Sequence, residues 1–188
     1  MDSFDLDIAR VGFQGDGLSA DGHIVPLTLP GERVRVREGK GQAELLDILT
    51  PSPRRVTPPC PHYAACGGCA LQHWDMAAYS DWKREVVIAH LRRAGLEGEV
   101  APIFTVPPHS RRRVGLHARK AGKSVLLGFK ARRSWTLVPI ETCVIAEPAI
   151  VAALPHLRDL AAPLFEHPKS APILHVTASL TGLDIDIS

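Results

Sequence analysis

The chain has 188 residues, of which 45% are hydrophobic and 22% charged, a balance that suits a soluble globular protein and excludes wholesale disorder. Its length allows one ordinary domain or two small ones without disulfide support, and no apolar run approaches the roughly 18 residues of a membrane span. The net charge of +2 conceals an asymmetry: residues 1–59 hold seven Lys/Arg against nine Asp/Glu, whereas residues 60–188 hold fifteen against eleven. Five aspartates stand in the first thirty residues where a secretory signal would have a basic start and an apolar stretch, so a cytoplasmic location is expected.

In chain order, the first fifty residues read as all-β. Stretches rich in Val, Ile and Leu at Phe4–Val11, His23–Thr28, Arg33–Glu38 and Gln42–Leu49 are separated by glycine-bearing turns, the pattern of a small barrel. A proline-rich joint follows at Pro51, Pro53, Pro58 and Pro59, and places a boundary between residues 1–52 and 53–188. A cysteine-rich loop then precedes a helix predicted over Asp75–Ala94, capped by Asp75 and stopped by Gly95. Tyr79, Trp82, Val86, Val87, His90 and Leu91 recur along one face of it. Strands are predicted at Arg111–Arg119, Ser124–Lys130 and Trp135–Ile140. A helix from Glu147-Pro148, bent at Pro155, leads to two last strands at Ile173–Ser179 and Leu183–Ile187. The fold class is mainly β with α+β character, a small barrel followed by a β-rich region with one or two helices.

The four cysteines form a spaced set, Cys60-x5-Cys66-x2-Cys69 with Cys143 far downstream. Too few and too uneven for a disulfide scaffold in a reducing compartment, they suggest ligands. A zinc ribbon brings two tight Cys-x2-Cys knuckles, whereas three clustered thiolates and one remote thiolate suit a [4Fe-4S] cluster. Structural zinc and unligated buried thiols remain the alternatives from spacing alone. Gly67 and Gly68 lack a Cβ and leave their amides open to a cluster; His62, Gln72 and His73 flank the loop as supporting groups, since four cysteines already complete a cubane.

The string Cys60-Pro-His-Tyr-Ala-Ala-Cys66-Gly-Gly-Cys69-Ala-Leu-Gln-His73, with Glu141-Thr-Cys143 later, resembles the iron–sulfur RNA (uracil-5-)-methyltransferases that act on 23S rRNA. Asp21-Gly-His-Ile-Val25 and Leu29-Pro-Gly-Glu32-Arg-Val34 resemble the OB-like, RNA-binding TRAM barrel that precedes the cluster in that family, and Leu127–Lys130 through Cys143 resembles its central β-region. The resemblance runs over nearly the whole chain. It implies a [4Fe-4S] cluster on Cys60, Cys66, Cys69 and Cys143, and 23S rRNA as partner. The family's catalytic domain binds S-adenosylmethionine and carries a cysteine nucleophile and a carboxylate base. No position here matches those parts, so the expectation is an N-terminal portion, inactive by itself, whose helix Asp75–Ala94 could self-associate if its apolar face is left uncovered.

Residues Arg111 to Arg133 carry nine cations and no acid: Arg111, Arg112, Arg113, Arg119, Lys120, Lys123, Lys130, Arg132 and Arg133. Such a run on adjacent strands offers phosphate contacts whose strength falls with salt. Alternation turns Val114, Leu116 and Ala118 to one face and Arg113, Gly115, His117 and Arg119 to the other. Phe13 and Trp135 are the candidate platforms for unstacked bases, against ordinary core packing. Competing readings are a stand-alone metal-stabilised RNA-binding adaptor, a transfer-RNA uracil-5 methyltransferase portion and an electron carrier; the basic run and the barrel give the last no purpose.

Overall fold

Alternating burial marks several of the strands. The computed structural model describes residues 3–165, 167 and 170–188, and its described strands form two five-stranded antiparallel sheets. The strands divide between two compact units. One comprises the chain up to Pro58 together with Ala70–Thr105, and the other comprises Pro59–Cys69 with Val106–Ser188.

The first unit holds β1 (Ser3–Val11), β2 (Gly17–Ser19), β3 (Ile24–Val25), β4 (Arg33–Arg37) and β5 (Glu44–Thr50), in the spatial order β3-β2-β1-β4-β5. The sheet curls until Ala43, just before β5, donates its N–H to the Ile24 carbonyl of β3 at 2.8 Å. Leu6, Ile8, Val25, Val34 and Val36 fill the interior, each side chain contributing about 1.5–3 kcal/mol of burial. Outward-facing arginines of β4 meet acids on neighbouring strands: Arg33 with Asp7, Arg35 with Asp5, and Arg37 with Glu44. Strand β2 lies in the glycine-rich stretch read from sequence as a turn. Gly17 permits it, because a Cβ there would collide with the Thr28 hydroxyl and Ile8.

Glu32 is a buried acid of this unit. Its carboxylate accepts from the Leu29 and Ser52 amides and from Nε and Nη2 of Arg55. Burial alone would raise its pKa; the Arg55 bonds and the two amides outweigh that and hold it below the usual glutamate range. The proline-rich joint is thus tied to the β3–β4 connection by charge.

The boundary expected after residue 52 is replaced by an interleaved division, because the helix returns to the first unit. Val56 donates to the His73 carbonyl and Asp75 to the Arg54 carbonyl, which zips the joint against the helix entry. Asp75 then caps α1 (Met76–Arg93) by accepting from the Ala77 and Ala78 amides. Tyr79 and Trp82 pack with Trp74 against Val11, Leu29 and Leu71, and the Trp82 indole donates to the Val11 carbonyl. Spacing cannot reveal which neighbour receives such a face. The helix nevertheless buries none of its side chains completely, and Val87 is 47% exposed.

The second unit holds β6 (Arg113–Ala121), β7 (Ser124–Lys130), β8 (Leu137–Pro139), β9 (Ile173–Ala178) and β10 (Leu183–Ile187), ordered β10-β9-β6-β7-β8. Gly122, with φ of 61°, turns the two-residue hairpin between β6 and β7. Val114, Leu116 and Ala118 of β6 point to one face with Leu127, Leu174 and Val176. There they meet Ile150 of α2 (Pro148–Ala152) and Leu154, Leu157 and Ala161 of α3 (Leu154–Ala161). The predicted bend at Pro155 is realised as a break between the two helices. On the opposite face the register places Gly115, His117 and Arg119 of β6 beside Gly128 and Lys130 of β7 and Ile173 and His175 of β9.

Candidate functional site

All four cysteines belong to the second unit, and all are free thiols, half-buried. The loop that carries three of them is wound by its own backbone: the Cys66 amide reaches the His62 carbonyl at 2.8 Å, and Tyr63 is buried beneath. It is then docked on the end of β7. Gly67 donates to the Lys130 carbonyl at 2.9 Å, and Cys66 and Ala131 form an antiparallel bridge. A Cβ on Gly67 would stand 2.8 Å from the Lys130 oxygen, so this approach requires glycine.

The remote cysteine is brought to the same region by two groups. His62 Nε2 accepts from the Glu141 amide at 3.4 Å, and Arg158 of α3 grips the Ile140 carbonyl and the Glu141 carboxylate, both at 2.9 Å. Cys143 itself packs against the core of this unit. Burial pushes the Cys66 thiol pKa up, the Gly68 amide at 3.4 Å from its sulfur opposes the shift, and the charges of Cys60 and Cys143 add to it. Mutual repulsion among thiolates is what a bound cation relieves. The donor chemistry therefore fits a thiophilic metal or cluster. The side chains as they stand are looser than a formed centre: among the described residues no three His, Cys, Asp or Glu groups gather closely enough to hold a metal ion. Arg158 gave no sequence signal, since a lone arginine in a short helix looks like any solvated cation.

The basic residues do not form one patch. Arg111, Arg112 and Arg113 stand at the start of β6, and Arg119, Lys120 and Lys123 at its far end, about 23 Å away at roughly 3.3 Å per residue. At the near end, Arg112 donates to the Ala178 carbonyl and Arg113 to the Thr177 hydroxyl. At the far end, Arg119, Lys120 and Lys123 are exposed, with no carboxylate partner among the described residues. Arg132 and Arg133 lie in the β7–β8 connection and have partners of their own, Arg133 at a φ of 51°.

Of the two aromatic candidates, Phe13 belongs to the first unit, 72% exposed, with its ring 5.3 Å from that of His90. Trp135 belongs to the second, 87% exposed, with Lys130 Nζ 3.6 Å from its ring centroid. It overlooks a cavity of about 860 Å³ bordered by His117, Arg119, Lys130, Leu137 and Ile173. Burial, followed by the charges of Lys130 and His175, lowers the His117 pKa, which keeps that imidazole neutral at physiological pH. His73, read as a neighbour of the cysteine loop, is instead a buried residue of the first unit.

The described strand ladders are all antiparallel, so these residues do not form the parallel βαβ crevice that S-adenosylmethionine takes in a Rossmann-like domain. No helix among them is long and apolar enough to cross a membrane.

No family model matches the chain. It is 58% identical over 98% of its length to a protein of Caulobacter vibrioides named as an uncharacterized RNA methyltransferase, and covers 46% of that protein. A Brucella suis protein named in the same way is 44% identical over 97% of the chain, with 45% of the relative covered. The 23S rRNA (uracil(1939)-C(5))-methyltransferase RlmD of Chromohalobacter salexigens is 35% identical over 94% of the chain, with 39% covered. The chain thus spans less than half the length of the curated relatives it matches.

Proposed function

We propose that this chain is the RNA-binding and cluster-bearing portion of an S-adenosylmethionine-dependent RNA methyltransferase that forms 5-methyluridine, with 23S rRNA as substrate. The observation that carries the reading is similarity over nearly the entire chain to proteins named as RNA methyltransferases, one of them for a 23S rRNA uracil. Similarity extending across both compact units supports a shared arrangement rather than one borrowed motif. On this reading the first unit is a TRAM-type barrel, and the methyl donor and reacting residues belong to the remaining length that the relatives have. The residues of this chain serve RNA recognition.

Cys60, Cys66, Cys69 and Cys143 would hold a [4Fe-4S] cluster, which supplies a four-way crosslink between the loop and the segment after β8. The residues of the chain prepare that link. Gly67 lets the loop lie flat on β7, His62 ties it to Glu141, and Arg158 fixes the approach to Cys143. Closure of the four sulfurs into a ligand set is the step metal binding would drive, since free thiolates repel one another.

Anaerobic purification with iron, sulfide and zinc analysis tests the assignment. Iron and sulfide each at about four per chain, with a brown visible spectrum, support it. One zinc and no colour would replace the cluster with a structural metal and favour the adaptor reading. The substitution Cys143→Ala is expected to reduce bound iron to background and lower solubility together; iron retained at the wild-type level would remove Cys143 from the ligand set.

A further inference from the structure

The β7–β8 connection of the second unit carries a feature that neither the cysteine loop nor the cation count explains. Six residues separate Lys130 from Leu137, and the connection is held tight: Ala131 donates to the Thr136 carbonyl at 2.8 Å, and the Ser134 hydroxyl bridges to that of Thr136 at 3.0 Å. This rigid turn presents Trp135 to solvent. The indole is left 87% exposed, so most of its apolar surface gains nothing from burial. Lys130 occupies one face of the ring by a cation–π contact, which fixes the indole's tilt and leaves the other face to solvent.

Around that ring the groove offers different groups at different depths. Exposed Arg119 and Lys120 and half-buried His117 line it. We propose that this groove is a binding site for a single unstacked nucleotide of RNA: the base stacks on the free face of Trp135, and Arg119 and Lys120 hold the flanking phosphates. His117, kept neutral by burial, has one ring N–H and one lone pair to present to a base edge, where an imidazolium would only donate. The volume of about 860 Å³ exceeds what one nucleotide fills, which leaves room for a neighbouring residue of the strand. A duplex could not use the site, because its bases are already stacked on one another.

This inference rests on the RNA reading above, and its test separates the two. The whole chain is titrated with a fluorescein-labelled oligouridylate and with a blunt RNA duplex of equal length, while tryptophan emission is followed. The wild-type protein is expected to prefer the single strand and to show quenching of its red-edge emission, which comes from exposed Trp135 rather than from half-buried Trp74 and Trp82. Trp135→Ala should lose that quenching and weaken single-strand binding by about 5- to 100-fold, with the salt slope unchanged, as expected for one lost base stack. Trp135→Phe should restore most of the affinity. Inorganic polyphosphate should compete poorly with the single strand. Trp135→Ala binding the single strand as well as wild type would overturn the stacking site while leaving RNA binding intact. Equal competition by polyphosphate would reduce the groove to a phosphate patch. Absence of wild-type binding to either RNA would overturn both readings. Circular dichroism and thermal melting of Trp135→Ala should match wild type, since the side chain is 87% exposed.

Discussion

The two sheets use arginine in opposite ways. In β4 of the first unit, Arg33, Arg35 and Arg37 alternate outward and each meets a carboxylate. In the second unit Arg113 and Arg119 alternate outward in the same manner, but the first meets a threonine hydroxyl and the second no described acid. A strand that reads Arg-Val-Arg-Val-Arg is therefore an ion-paired surface, and one that reads Arg-Val-Gly-Leu-His-Ala-Arg is a surface with charge to spare. The acid count of the neighbouring strands makes the difference, which is why the charge asymmetry between the two parts of the chain is informative although the net charge is not.

The largest expected effect tests the self-contained character of the first unit. Glu32→Ala leaves the Arg55 guanidinium without its carboxylate and two amides without an acceptor, and should cost about 3–5 kcal/mol, read as a lowered Tm or denaturant midpoint. Folding lowers the Glu32 pKa, so its stabilisation is complete above the ordinary glutamate range and is lost as pH falls through the folded value. The acid limb of the stability curve should accordingly flatten in Glu32→Gln. An unchanged acid limb would mean that the pair contributes nothing.

The comparison of arginines is tested directly by Arg119→Gln against Arg35→Gln. Loss of one phosphate contact should weaken RNA binding and reduce the salt slope by about 0.7 to 0.9 for Arg119→Gln. Arg35→Gln, on the ion-paired surface, should change neither. Equal losses from both would show that the spare charge of the second unit is not what RNA uses. The smallest effect belongs to the helix start: Asp75→Ala removes the cap of α1 and should cost about 1 kcal/mol, with Asp75→Asn retaining most of it.

Much of the fold was legible from local pattern. β7 and β10 match their expected bounds, and β6 shows the predicted inward set, because strict alternation at a half-buried sheet leaves a period-two trace. β2 was hidden, since three residues in a glycine-rich stretch carry no period. Of the candidate sites, the cysteine spacing suggested a ligand set with His62 as a supporting neighbour, whereas Arg158, which holds the approach to Cys143, carries no spacing signal. Trp135 was legible as an aromatic beside cations but not as an exposed one, because a core tryptophan has the same neighbours in sequence.

The sequence alone therefore determined the β-rich class, the helix with its Asp75 cap, the cysteine set and the uneven charge, all of which depend on residue type and short-range spacing. Tertiary structure decided which unit received the helix, how the cations split between the two ends of β6, and that one indole stands over an open groove. Those outcomes depend on contacts between residues far apart in the chain, and such contacts are set by packing complementarity, which leaves no local period to read.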